Sequence, residues 1–121
     1  MHELKIIQDV FPIIENVAKE NHLKSVTKVV LQVGALRQVI PEFLQFAFAT
    51  IAKDTVAAGG ELIIESIPIT ARCKTCLKQF TIEENVYICP HCNSSDFEIL
   101  TGKEIILESV DGTPMSGSRK L

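Results

Sequence analysis

Two pairs of cysteines constrain what this chain can fold into more than any other feature. Cys73 and Cys76 form one C-x-x-C pair, and Cys89 and Cys92 form a second, with twelve residues (77–88) between them. Two such turns that face each other supply four thiolates in a tetrahedron, the arrangement that zinc takes in structural sites. A module this small cannot be held together by core burial, so metal binding would supply most of its folding free energy. The spacing therefore predicts a structural zinc centre.

Other uses of the cysteines fit the pattern less well. A thioredoxin-type redox pair normally stands alone in a βαβ context, whereas this chain has two pairs. A catalytic zinc needs an open coordination position, and four cysteines leave none. His91 lies between two of the cysteines, and we expect it to be exposed and not a ligand. Arg72, Lys74 and Lys78 are close enough in sequence to offset the excess negative charge of four thiolates.

Composition narrows the class of protein. The chain has 121 residues, 46% of them hydrophobic and 22% charged, which suits one globular domain carrying a small insert. No apolar run reaches the length of a membrane-spanning helix, and the first residues lack the pattern of a secretory signal. We therefore expect a cytoplasmic protein, whose thiols stay reduced. The net charge of −3 argues against nucleic-acid binding, which favours a basic surface.

The first predicted element is a helix over residues 4–22. Pro12 interrupts it, because proline removes a donor and crowds the carbonyl of Gln8. Either the helix kinks near Gln8, or its regular part begins at Asp9 as N-cap and places Pro12 in the first turn. The prediction rests on apolar residues spaced three and four apart, namely Leu4, Ile7, Phe11, Ile14 and Ala18.

A second helix is predicted to begin at Pro41, where the missing N–H of proline costs nothing. Its apolar residues cover more than half of its circumference, so we expect it to be well buried. The members of this apolar set are Phe43, Leu44, Phe46, Ala47, Phe48 and Ile51.

Three segments are predicted as strands because they are rich in β-branched residues. They are residues 25–33, 61–69 and 97–110, the last with a turn or bulge at Thr101–Gly102. Residues 111–121 are predicted to be a disordered tail. The order of elements indicates one α/β sandwich that the cysteine module interrupts, with its last strand supplied from beyond the module.

The N-terminus carries a second candidate metal site. The Met1 amine, the backbone nitrogen and imidazole Nδ1 of His2, and the amide nitrogen of Glu3 can chelate one ion in fused rings. Four nitrogens in a plane suit Ni²⁺ or Cu²⁺ and do not suit the tetrahedron of zinc. The Glu3 carboxylate would lie beside the metal. Taken alone, however, a histidine at position 2 is usually incidental.

Several motifs together resemble the HypA/HybF family of nickel chaperones in [NiFe]-hydrogenase maturation. They are Met1-His2-Glu3, Val33-Gly34-Ala35-Leu36 leading to Pro41-Glu42, Phe46-Ala47-Phe48, and the paired cysteines. The resemblance covers residues 1 to about 110. It implies Ni(II) as cargo at residues 1–3 and zinc on the four cysteines. It also implies a GTPase partner, HypB, and delivery of nickel to the hydrogenase large subunit and, in some bacteria, to urease.

The resemblance also implies the architecture. We expect an α+β fold of two helices on a small mixed three-stranded sheet, with an inserted zinc-ribbon-like module. The nickel-binding domain would comprise residues 1–70 plus 98–110, the zinc-binding domain residues 71–97, and the tail residues 111–121. The chain could be a monomer or a homodimer.

Two rival functions remain open from the residues alone. An enzyme is disfavoured, because the chain has no Ser-His-Asp set, no phosphate loop and no paired-carboxylate pocket. Glu61, Glu65 and Glu108 are expected to be solvent-facing strand residues. The second rival is a zinc-ribbon module that binds nucleic acid or protein partners. It would explain the cysteines but would leave His2 without a role.

Overall fold

The structure is a computed structural model that describes residues 3–115. Its elements are α1 (Glu3–Glu20), β1 (Leu23–Gly34), a 3₁₀ turn (Ala35–Arg37), α2 (Pro41–Ala52), β2 (Glu61–Ile67), β3 (Ile69–Cys73), β4 (Gln79–Ile82), β5 (Phe97–Thr101) and β6 (Ile105–Pro114). Neither described helix is long and apolar enough to span a lipid bilayer.

The first sheet is mixed and three-stranded, in the order β2-β1-β6. Strand β1 pairs in parallel with β2 and antiparallel with β6. Side chains on one face of this sheet form the main core with both helices, where the rings of Phe11 and Phe48 lie 6.0 Å apart. This arrangement confirms the predicted two helices on a small mixed sheet.

The second sheet carries the cysteine module. Its order is β4-β3-β5, and both pairings are antiparallel. Its core is small and separate from the first, and the rings of Phe80 and Phe97 meet edge to face in it at 5.6 Å. Only Pro68 separates β2 from β3, so the chain passes directly from one sheet into the other.

Helix α1 is continuous through Pro12. The alternative in which the regular helix begins at Asp9 is therefore wrong. The exposed position of Pro12 explains why it is tolerated, since water can solvate the Gln8 carbonyl that loses its intrahelical donor. The predicted apolar stripe is confirmed, with Ile7, Phe11, Ile14 and Ala18 buried.

Helix α2 is less buried than predicted. Leu44, Ala47 and Phe48 face the core, but Phe43 is 57% exposed and Phe46 is 74% exposed. The helix packs one stripe against α1 and β2 and leaves the opposite apolar face to solvent. The expectation that it must be well buried is wrong, because apolar composition alone does not tell how many neighbours a helix has.

The predicted strand over residues 97–110 is two strands in two different sheets. Gly102, at φ 118°, lies in the turn between β5 and β6. Residues 98–101 thus belong to the second sheet, although the predicted domain boundary at residue 98 places them with the first.

The predicted disordered tail also begins too early. Residues 111–114 continue β6, where Gly112 pairs with Val26 and Pro114 with Leu23. The backbone groups of these residues form hydrogen bonds to the adjacent strand. Pairing of this kind needs no apolar side chains, so the sequence of the segment did not indicate a strand. Residues 116–121 of the predicted tail lie outside the described residues.

Candidate metal centre

Each C-x-x-C pair forms the same turn. The N–H of Leu77 donates to the carbonyl of Cys73 (2.9 Å), and the N–H of Asn93 donates to the carbonyl of Cys89 (2.8 Å). Both donor residues are left-handed, with φ of 68° at Leu77 and 64° at Asn93. The repeated local conformation points the two thiols of each pair toward one place.

The two turns face each other and bring all four sulfurs together. The Sγ atoms of Cys73, Cys76, Cys89 and Cys92 lie within 4.8 Å of one another. The Sγ atoms of Cys73 and Cys92 are 3.5 Å apart, and those of Cys76 and Cys89 are 3.7 Å apart. A tetrahedral site with Zn–S bonds of about 2.3 Å has S–S edges of roughly 3.8 Å. The donor set and its dimensions therefore fit a four-coordinate zinc.

The four thiols differ in burial and in hydrogen bonding. Cys73 and Cys89 are fully buried, whereas Cys92 is exposed. Donation from the backbone N–H of Cys76, together with that of Thr75, lowers the pKa of Cys73 to about 6. The backbone N–H of Ser94 favours the Cys92 thiolate, but the neighbouring thiols, Cys73 first among them, raise the pKa of Cys92 to about 12.

His91 is exposed, as the sequence predicted, whereas one of the neighbouring positive charges has another partner. His91 is exposed and is not a member of the ligand group found among residues 3–115. Its backbone N–H donates to the Cys89 sulfur at 3.4 Å. The Lys74 ammonium lies 4.0 Å from the Asp96 carboxylate. This ion pair offsets part of the positive charge that Lys74 was expected to supply to the thiolates.

Of the predicted nickel-site residues, the structure describes only Glu3. Met1 and His2 lie outside the described residues. Glu3 begins α1, and its carboxylate Oε2 accepts a hydrogen bond from the backbone N–H of Ile40 at 3.0 Å. Ile40 is the N-cap of α2 and has no polar side chain to cap the helix. The sequence-based prediction placed the Glu3 carboxylate beside the metal and did not include this contact. The sequence signal for it is Ile40 itself, an apolar residue before Pro41 that cannot cap α2 with its own side chain.

An exposed apolar patch adjoins Glu3. We call Leu4, Phe43 and Phe46 the apolar patch, and they are 51%, 57% and 74% exposed. They line one shallow groove together with Glu3 and Thr50. A surface of this kind, beside the start of the chain, is typical of a protein-binding site.

Comparison with known proteins gives consistent results along the chain. A family model described as hydrogenase/urease nickel incorporation, metallochaperone, HypA, matches residues 1–112. The hydrogenase maturation factor HypA of Aquifex aeolicus is 40% identical over 111 residues, covering 92% of this chain and 96% of that protein. The factor of the same name from Desulfitobacterium hafniense is 38% identical, covering 92% of this chain and 97% of that protein.

Solved structures show the same fold. The solution structure of the Ni metallochaperone HypA from Helicobacter pylori matches with a TM-score of 0.69, covering 95% of this chain and 100% of that one. A second HypA solution structure matches with a TM-score of 0.65, covering 95% of this chain and 98% of that one. Sequence identities are 24% and 23%, so these two matches support the fold alone.

Proposed function

Because the chain belongs to the HypA family of nickel-incorporation metallochaperones, we propose that it binds Ni(II) at its N-terminus and delivers it to the [NiFe]-hydrogenase large subunit. The observation that carries this proposal is that the family match begins at residue 1. It therefore includes Met1, His2 and Glu3, whose amine, imidazole and amide nitrogens form a set suited to nickel. In this role the chain holds and releases a metal and is not an enzyme.

The proposed nickel donors are the Met1 amine, the backbone nitrogens of His2 and Glu3, and the His2 imidazole. A planar set of four nitrogens selects Ni²⁺ over zinc by geometry. Each nitrogen must lose or lack a proton before it binds, so nickel competes with protons. Affinity should therefore fall as the pH drops below the reference histidine pKa of about 6.5.

The four cysteines are proposed to hold zinc as a structural ion. Their sulfurs lie within 4.8 Å of one another, and four thiolates would leave a tetrahedral zinc without an open position for a substrate. Its role would be to hold β3, the two turns and β5 together. The two sites offer different donors, four sulfurs in the module and nitrogens at the N-terminus. This difference would keep zinc and nickel in separate sites.

Delivery requires partners, and the proposed main partner is a GTPase of the HypB type. The chain has no phosphate loop, so energy for a directed cycle would come from that partner. The apolar patch supports contact through the helices, because Leu4, Phe43 and Phe46 are exposed beside Glu3. The proposed setting is the cytoplasm, with the hydrogenase large subunit and, in some bacteria, urease maturation as destinations.

The experiment that tests the nickel site compares untagged protein with His2→Ala by titration with Ni²⁺ at pH 7.5. We expect one tight site in the wild type, its loss in His2→Ala, and wild-type affinity in the matched controls His22→Ala and His91→Ala. Blocking the amine by acetylation should also abolish tight binding and leave the zinc content unchanged. If the acetylated protein bound nickel as tightly as the free form, the N-terminal chelate would be wrong.

A further inference from the structure

One short stretch of chain connects the two cores. We call residues 35–40, between β1 and α2, the link segment. The Leu36 side chain packs against the core of the cysteine module, which includes buried Cys73. The Val39 side chain, three residues later, packs against the core beneath the helices. The link segment therefore has one apolar anchor in each core.

A sharp turn makes this double anchoring possible. Gln38 is left-handed, with φ of 54°, and its N–H donates to the Ala35 carbonyl at 3.2 Å. The reversal lets side chains that are close in sequence enter different cores. A non-glycine residue in this conformation is uncommon and persists where its surroundings impose it.

Hydrogen bonds hold the module end of the link segment to the turn between β5 and β6. The N–H of Leu36 donates to the Gly102 carbonyl at 2.9 Å. The Arg37 Nε donates to the Lys103 carbonyl at 2.7 Å. A Cβ added at Gly34 would collide with the Gly102 carbonyl, so the backbones are in close contact there. This end of the link segment is therefore bonded to the turn that directly follows β5 of the cysteine module.

The other end of the link segment meets the N-terminus. The Ile40 N–H donates to the Glu3 carboxylate at 3.0 Å. Glu3 directly follows His2, and its own backbone nitrogen is one of the proposed nickel donors. Whatever fixes the Ile40 amide therefore also restricts the Glu3 carboxylate, on the last of the three residues of the proposed chelate.

We propose that Leu36 is a positioning residue for nickel: by anchoring the link segment in the cysteine module, it sets where the Ile40 amide holds Glu3. The proposal rests on the proposed function, since it concerns the same N-terminal site. Holding the donors in place before the metal arrives reduces the ordering cost of chelation and raises affinity. A folded cysteine module would thus favour nickel binding without touching nickel.

The first test needs no nickel. Hydrogen exchange of the Ile40 amide would be measured by NMR in zinc-loaded Leu36→Ala, with Ile99→Ala as matched control. Ile99 packs in the same module core but lies outside the link segment. We expect faster Ile40 exchange in Leu36→Ala than in the wild type, and a wild-type rate in Ile99→Ala. Equal Ile40 exchange in all three proteins would overturn the proposal.

The second test measures Ni²⁺ affinity in the same proteins by calorimetry. Leu36→Ala should bind nickel at least about fivefold more weakly, the lower end of couplings between distinct sites, with its zinc retained. Arg37→Gln, an exposed change that keeps the fold, should weaken binding in the same direction. Ile99→Ala should bind as the wild type does. Unchanged affinity in both Leu36→Ala and Arg37→Gln would refute the positioning role.

A double substitution separates this route from general destabilisation. If Leu36 acts through Glu3, then Leu36→Ala should have no further effect on affinity in a Glu3→Ala background. Additive losses would show that Leu36 acts by another route and would overturn the proposal. A wild-type protein that bound no nickel at all would instead refute the proposed function, while the exchange of the Ile40 amide would still report on the link segment.

Discussion

Single residues at the metal centre adopt conformations that their side chains do not favour. Leu77 and Asn93 occupy equivalent places after the first and second C-x-x-C pairs, and both are left-handed. The left-handed region costs an ordinary residue roughly 1–2 kcal/mol, whereas Asn tolerates it and Gly adopts it freely. Leu77 is also 71% exposed, so its side chain contributes little packing in return.

Leu77→Gly is therefore expected to stabilise the zinc-loaded protein, by up to about 1 kcal/mol after the greater chain entropy of glycine is counted. The urea midpoint at constant zinc content measures the effect. Asn93→Gly serves as the matched control and should give a smaller gain. A lower midpoint for Leu77→Gly than for the wild type would mean that the Leu77 side chain stabilises the module by a contact that outweighs its backbone strain.

At this scale the sequence predicts which cysteines lie together better than it predicts backbone conformations. The spacing of Cys73, Cys76, Cys89 and Cys92 identified the residues that the fold brings together, because the C-x-x-C turn is a local structure. The left-handed leucine carried no such signal, since leucine is not typical of that region. The contact between Glu3 and Ile40 was also missed, because it joins residues 37 positions apart.

Among elements, the mixed sheet places two acidic residues of its edge strands close together. Glu65 on β2 is paired with Gln32 on the central strand β1, whose amide donates to Glu65 at 3.3 Å, and Glu108 lies on β6 at the other side of β1. Repulsion from the Glu65 carboxylate, chiefly, raises the pKa of Glu108. The folded state thus holds a proton on Glu108 more readily than the unfolded state, and stability falls as the pH rises through the folded pKa.

Glu108→Gln should therefore raise the melting temperature at pH 7, because it removes the charge that the Glu65 carboxylate repels. The gain should shrink as the pH falls toward the ordinary glutamate pKa of about 4.3. Thermal unfolding of the two proteins, measured from about pH 4.5, near the ordinary glutamate pKa, up to neutral pH, would show the trend. Glu61→Gln, on the same strand as Glu65, is the control. A gain that did not depend on pH would exclude charge repulsion as its cause.

The sequence predicted the position and burial of an element well where its apolar residues are the ones that are buried. It predicted them poorly for α2 and for the end of β6. The stripe of α1 and the β-branched run of β1 face the core, so pattern and structure agree. Helix α2 is apolar on both faces but buried on one, and the apolar patch it exposes points to function and not to the core. The end of β6 is polar and ordered by pairing alone, so its hydropathy predicted a tail.

For the whole molecule, the decisive feature is that its two cores differ in size. Among residues 3–115, the core beneath the helices contains fourteen buried residues, and the core of the cysteine module contains six, of which Cys73 and Cys89 are two. Strand β6 follows the module in the chain but pairs with β1 in the first sheet. The module is therefore an insertion whose loss leaves the pairing partners of the first sheet in place. We propose that residues 69–101 form this dependent unit.

Removal of zinc by a chelator should accordingly unfold the module and spare the rest. Six buried residues are too few to hold three short strands, so the metal would supply most of the module's stability. Hydrogen–deuterium exchange should show loss of protection over residues 69–101, with protection kept in α1, β1 and α2. Cys73→Ser should reproduce this pattern, and added zinc should restore protection only in the chelated wild type. Uniform loss of protection through α1 and β1 would show that the two cores form one cooperative unit, with zinc required for the entire fold.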